Sequence, residues 1–194
     1  MSKFVYAIEG LDRLGKSTLI EGILQKLGYF QVIHFGKPER LDAYRGSIIP
    51  SEVDHDPNAD PQLYNFQAVG FRNSMKLSQS GARIIFDRWH LGEAVYAPLY
   101  RKYNGDYVFD MEIRYKLDQT NMVRLILLTE DFDISRHFIT DGDSFDDTKR
   151  QEEQRLFIEA FTKSNIRDKR AICVTDPHTG LFRSPESILK EALS

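Results

Sequence analysis

Apolar and polar positions along this chain follow two periods. Short runs rich in β-branched and aromatic residues occur at Phe4–Ile8, Phe30–Phe35, Ala82–Phe86, Val123–Leu128 and Ala171–Val174. Each is too short for a stable helix and reads as a buried strand. Between them lie longer stretches with apolar residues every three to four positions: Lys16–Leu27, Gln62–Ser80, Gly92–Tyr100, Asp110–Gln119, Gln151–Lys163 and Pro185–Leu193. That spacing predicts amphipathic helices. In Gln62–Ser80 the apolar positions are Leu63, Phe66, Val69, Met75 and Leu77. Continuously apolar strands separated by helices form parallel sheets covered on both faces. The pattern therefore predicts an α/β domain of three layers, a five-stranded parallel sheet flanked by helices. Arg40–Pro61, with three prolines and many acids, predicts mostly loop. No repeat or linker interrupts residues 1–194, which read as one domain with a short lid at about 136–150.

Composition narrows the classes. A chain of 194 residues, 41% hydrophobic, buries enough surface to fold without disulfide or metal. Lys and Arg number 26 against 29 Asp and Glu, a net charge of −3. Such a balance lacks the positive field of a general nucleic-acid binder, so no nucleic-acid partner is expected. The single cysteine, Cys173, has no partner within the chain for a disulfide. The first residues lack a signal-peptide core, and apolar runs such as Leu125–Leu128 are too short to span a bilayer. A soluble cytoplasmic protein without a membrane partner is the expectation.

The segment Gly10-Leu11-Asp12-Arg13-Leu14-Gly15-Lys16-Ser17 fits G-x-x-x-x-G-K-[ST]. Its glycines allow backbone N–H groups to turn toward phosphate oxygens, Lys16 adds charge at the β and γ phosphates, and Ser17 offers a hydroxyl to Mg²⁺. The strand before it and the helix after it supply the required context, and the helix dipole favours an anion there. A nucleotide site is predicted.

Ligands of open α/β sheets sit beyond the carboxyl ends of the strands. Asp87 and Arg88 end the third predicted strand, while Lys37, Glu39 and Arg40 follow the second. A carboxylate at a strand end can hold Mg²⁺ directly or through water, which makes Asp87 the second metal candidate. Arg13, Lys16, Arg40 and Arg88 together exceed what one triphosphate with Mg²⁺ requires. A second anion is expected, hence transfer of a phosphoryl group from ATP to an acceptor that is itself a monophosphate.

These residues resemble the thymidylate kinases among the P-loop nucleoside monophosphate kinases. Glu9-Gly10-Leu11-Asp12-Arg13-Leu14-Gly15-Lys16-Ser17-Thr18 matches that family's E-G-x-D-x-x-G-K-S-T, and Pro38-Glu39-Arg40 its P-E-R segment. Asp87-Arg88-Trp89 with Tyr96 matches its D-R-Y and the aromatic nine residues beyond the Asp. The likeness covers about residues 3–100. It implies that Lys16 and Ser17 serve ATP and Mg²⁺ and that Asp12 meets the acceptor's sugar hydroxyl. It further implies that Arg40 and Arg88 hold the acceptor phosphate, that Tyr96 favours deoxyribose, and that the chain forms a homodimer. Arg13 in the loop, set against an acidic lid (Asp141-Gly142-Asp143-Ser144-Phe145-Asp146-Asp147), is similar to the eukaryotic-type pairing. The lid acids lack the spacing of an EF-hand Ca²⁺ loop. Arg136 reaches phosphate on closure or stays on the surface.

The base pocket departs from the family. The position from which its Arg reads thymine holds Gln67 without gaps, or Arg72 if the helix is shortened. Phe66-Gln67 is also similar to the F-Q pair of deoxynucleoside kinases, with Phe66 otherwise in the helix core. The alternatives are thus a deoxynucleoside kinase, with Glu39 or Asp87 as base for a 5′-hydroxyl, and a nucleotide-binding module without catalysis.

Overall fold

A computed structural model describes residues 4–35, 61–101, 103–134 and 149–194, with the side chains of 61–66 left aside. The five strands are β1 (Val5–Gly10), β2 (Gln31–His34), β3 (Ile84–Asp87), β4 (Val123–Thr129) and β5 (Asp168–Cys173). They pair in the order β2-β3-β1-β4-β5, every pair parallel. β1 is buried at every position and β4 at all but its last, whereas the edge strands β2 and β5 are partly exposed. This is why the central strands carried the strongest apolar signal.

The helices are α1 (Lys16–Leu27), α2 (Pro61–Ser78), α3 (His90–Tyr96), α4 (Tyr107–Arg114), α5 (Arg150–Lys163) and α6 (Pro185–Leu193). α1 packs with α6 on one face of the sheet, and α3 with α4 and α5 on the other. The predicted layers are present. Pro185 at the first helical position and the Ser184 hydroxyl, which accepts from the Ser187 N–H at 3.2 Å, start α6 cleanly.

Several boundaries differ from the pattern. The helix expected at Gly92–Tyr100 begins at His90 and gives way to a π-helical turn, Ala97–Arg101. The helix expected at Asp110–Gln119 is α4, three residues earlier, followed by a 3₁₀ turn at Leu117–Gln119. Lys116, at φ 54, ends the α-helical path between them. β5 starts at Asp168 rather than Ala171, because Asp168 lies opposite Arg124 in the ladder and pairs with it at 2.8 Å. Charged residues at that end hid the strand from a hydrophobic reading. In α2 the buried stripe runs through Ala68, Phe71 and Met75, leaving Val69 and Leu77 exposed. Lys149 and Arg150, placed in the lid from sequence, are respectively the residue before α5 and its first residue.

Candidate functional site

The chain leaves β1 toward one side of the sheet and β3 toward the other, so the crevice between their carboxyl ends is the switch point of the fold. The loop after β1 occupies it. Gly10 has φ 129, and a Cβ there would lie 2.4 Å from the Leu128 carbonyl oxygen of β4. Only glycine fits. Leu11 and Leu14 are buried and anchor the loop to the core, which leaves the loop's backbone rather than these side chains to meet a ligand. Gly15, at φ 80, turns the chain into α1, where Ser17 and Thr18 are exposed. The Lys16 ammonium donates to the Gly10 carbonyl at 3.0 Å and the Leu11 carbonyl at 2.5 Å, and lies 3.8 Å from the Asp12 carboxylate.

Burial, and secondarily the Arg88 charge, pulls the Lys16 ammonium down to about 8. An anionic ligand binds the charged form, so above that pH binding must also take up a proton. ADP affinity measured by calorimetry is therefore expected to hold between pH 7 and the Lys16 pKa. Above about pH 8 it should weaken toward ten-fold per pH unit. A flat profile to pH 9.5 would refute that role for Lys16.

Arg88 sits in the left-handed region at φ 61, rare for a side chain of its size. β1 holds it there. Its N–H donates to the Ile8 carbonyl at 2.9 Å, and the Glu9 carboxylate accepts from the N–H groups of Trp89 and Leu91 at 2.9 and 3.0 Å. Burial pushes the Glu9 carboxyl up, and the backbone bonds and nearby His90 only offset this in part. Held this way, the Arg88 guanidinium reaches the Asp12 carboxylate. Asp12 thus stands between Lys16 and Arg88, a carboxylate where two cations converge.

Asp87 Oδ2 lies 2.9 Å from His34 Nδ1, within hydrogen-bond distance, while its Oδ1 is buried without a hydrogen-bond partner among the described residues. An orphaned carboxylate oxygen beside the loop that exposes Ser17 is a hard-oxygen donor set suited to Mg²⁺. Among the described residues no three or more His, Cys, Asp or Glu side chains gather as a metal site.

On the other side of Asp12 stands an aromatic wall. Tyr96 packs edge-on to Phe157 of α5 with centroids 5.6 Å apart and lies 6.0 Å from Tyr100. Burial first, then the charges of Glu153 and Asp12, pushes the Tyr96 phenol up, so it remains a neutral donor. The Tyr100 hydroxyl donates to Glu153, and the Lys149 ammonium lies 5.2 Å from the Tyr100 ring. On α2, Gln67 is half-buried and Arg72 exposed. Lys37, Glu39, Arg40, Arg136 and the Phe66 side chain lie outside the described residues.

Two further groups were not singled out from sequence. His34 at the end of β2 meets Asp87 only because β2 and β3 are neighbours. Arg150 at the start of α5 donates to Glu130 at 2.6 Å and to the Asp12 carbonyl at 3.0 Å. The spacing of Arg150, Glu153, Gln154 and Phe157 puts all four on one helix face, the sequence signal by which Arg150 could have been found. Among the described residues no helix is long and apolar enough to cross a membrane.

No protein-family model matches this chain, and no curated protein does either. Solved structures do match. The YorR protein of Bacillus subtilis, in complex with phosphorylated GDP, superposes with a TM-score of 0.56 at 14% identity, over 96% of this chain and 91% of that one. Thymidylate kinase of Candida albicans gives 0.54 at 19% identity, over 97% and 88%. The fold is that of the P-loop kinases. Polyphosphate kinase 2 of Arthrobacter aurescens, of which 61% is covered, gives 0.54 at 15% identity.

Proposed function

We propose that this chain is a deoxynucleoside monophosphate kinase, transferring the γ-phosphoryl group of ATP to dTMP to give ADP and dTDP. The observation that carries the reading is the convergence of Lys16 and Arg88 on the Asp12 carboxylate at the switch point. One cation belongs to the donor cradle and the other lies across it, a layout suited to two anions facing each other. The likeness in fold to a solved thymidylate kinase supports the choice of acceptor.

An oxygen of the acceptor phosphate, ionised near neutral pH, attacks the γ-phosphorus as the bond to the β–γ bridging oxygen breaks and ADP leaves. Catalysis is then positioning and charge neutralisation, with no strong base needed. The loop amides from Gly10 to Thr18 hold the donor phosphates, and Lys16 and Arg13 neutralise charge as it shifts to ADP. Arg88, with Lys37 and Arg40, holds the acceptor phosphate, Asp12 meets its sugar hydroxyl, and Tyr96 closes the 2′ side. Phe66 with Gln67 or Arg72 faces the base, and Arg136 reaches the donor from the lid. Ser17 and Asp87 would hold Mg²⁺, which spreads the charge of the β and γ oxygens. By the same resemblance the protein acts as a homodimer, and its lack of a signal-peptide core or long apolar run fits a cytoplasmic location.

A second reading has its own observation. A hydroxyl acceptor needs a base, and the His34–Asp87 pair is a described group that offers one. A coupled ADP-release assay against all deoxynucleoside monophosphates and all deoxynucleosides separates the two. Turnover with monophosphates, dTMP foremost, is the expected result. Turnover with nucleosides alone would replace the proposal with a deoxynucleoside kinase, and ATP binding without turnover on either panel would make this a nucleotide-binding module.

A further inference from the structure

Three successive carbonyls of the loop after β1 are held by cations. Lys16 takes those of Gly10 and Leu11, and Arg150, from a helix 138 residues further along the chain, takes that of Asp12. Arg150 is itself fixed. Its side chain is 8% exposed, and its Nε donates at 2.6 Å to the carboxylate of Glu130, which is fully buried. Glu130 follows β4 directly, and the Gln154 side chain, one turn beyond Arg150 on α5, clasps its backbone. The Glu130 N–H donates to the Gln154 amide oxygen at 2.8 Å, and the Gln154 amide nitrogen donates to the Glu130 carbonyl at 2.8 Å. The sheet end, the first turn of α5 and the loop are thereby joined through one guanidinium.

A planar trans peptide points its C=O and N–H in opposite directions. The carbonyl held by Arg150 shares its peptide with the N–H of Arg13, and Arg13 stands in the left-handed conformation, φ 66, with Gly15 likewise at φ 80. Alternation of left- and right-handed residues gathers amides into an anion-binding concavity. A carbonyl left to water would be free to rotate that peptide, because the cost of φ > 0 at Arg13 favours the rotation.

We propose that Arg150 is a positioning residue of the phosphate cradle. By gripping the Asp12 carbonyl it keeps the Asp12–Arg13 peptide turned so that the Arg13 N–H faces the nucleotide's phosphates. This rests on reading the loop as a nucleotide site, and it adds a residue that neither the loop motif nor the strand-end pairs contain. Arg150 acts through the backbone of the loop and needs no contact with substrate.

The test uses the full chain, with ADP and Mg²⁺ as the probe. Arg150→Met keeps the volume and removes every donor; it should weaken ADP binding about ten-fold or more, the scale of a charge-assisted bond. The KM of the acceptor should change less than the ADP affinity does, because the Asp12 carboxylate is still held by Arg88. Since that variant takes the Arg150 guanidinium away from the buried Glu130 carboxylate, the double variant Glu130→Gln, Arg150→Met restores the charge balance and Tm. Weak ADP binding that persists in the double variant supports the positioning role. So does loss of the ADP-induced shift of the Arg13 amide ¹⁵N resonance. ADP affinity that recovers together with Tm overturns it, leaving Arg150 a structural ion pair. Wild-type protein that binds no ADP overturns this inference and the proposed function together, whereas wild type and variants binding alike overturn this inference alone.

Discussion

Lys16→Met should lower turnover by at least about 10²–10³-fold while the ligand-free protein becomes no less stable. Removing one preorganised donor from a water-excluded site costs on that scale, and here the donor also carries the cradle's charge. The stability half follows from the environment of the ammonium. Burial and the Arg88 charge disfavour the charged form in the folded chain, pulling it to about 8 from the ordinary lysine value of 10.5. The unfolded chain therefore binds more protons than the folded one between about pH 8 and 10.5. Stability gained on raising the pH through that window is stability that the charge withholds at neutral pH. Methionine fills the same space without the charge. Thermal unfolding and the ADP-release assay read the two halves separately: a Tm well below wild type would show that the carbonyl bonds to Gly10 and Leu11 outweigh the buried charge. Unchanged turnover would remove Lys16 from the mechanism.

The largest loss of stability is expected from Glu112→Ala, far from the nucleotide. Glu112 and His90 both have fully buried side chains, and the carboxylate meets His90 Nε2 at 2.5 Å. It also accepts from the Ser164 hydroxyl at 2.6 Å and from the backbone and side-chain nitrogens of Asn165 at 2.6 and 3.2 Å. Burial alone would raise the Glu112 carboxyl; the His90 bond and these donors outweigh it and hold the group below its ordinary value. Deleting one partner of a buried pair leaves the others desolvated and unmatched, at about 3–5 kcal/mol. For a chain of this size that is a fall in Tm of roughly 10 °C. The depressed carboxyl also fixes the sign with pH. Its contribution is complete above the unfolded value of 4.5 and is lost as the pH falls through the folded one. Wild type should therefore lose its margin over the variant in acid. A variant that unfolds within about 2 °C of wild type at pH 7 would show the network to be dispensable.

His90 also ties this network to the site, because α3 begins with it, two residues after Arg88. Glu9, from below, bonds the N–H groups on either side of His90. The turn bearing Arg88 is thus held by a strand end and a buried pair. Neither could be seen as a unit in the sequence, where Glu9, His90 and Glu112 lie far apart.

What was legible beforehand follows from range. The cradle is contiguous, so its glycines, Lys16 and Ser17 could be read in order, and the strand before it and helix after it were where the hydrophobic periods put them. Asp87 and Arg88 were legible through one rule about strand ends. Val69 and Leu77, apolar positions of the predicted helix, are exposed because a helix buries only an arc of its surface, and hydrophobicity alone does not say which arc faces the sheet.

The sequence by itself determined the number and type of the strands, the parallel α/β layering and the phosphate loop, because these depend on periodicity and on residues within one turn of each other. Only the tertiary structure decided that His34 meets Asp87, that Arg88 meets Asp12, and that Arg150 reaches the Asp12 carbonyl. Those contacts join residues 53, 76 and 138 positions apart, brought together by strand order and helix packing. No local propensity encodes them; they exist because each strand's carboxyl end opens onto the same crevice.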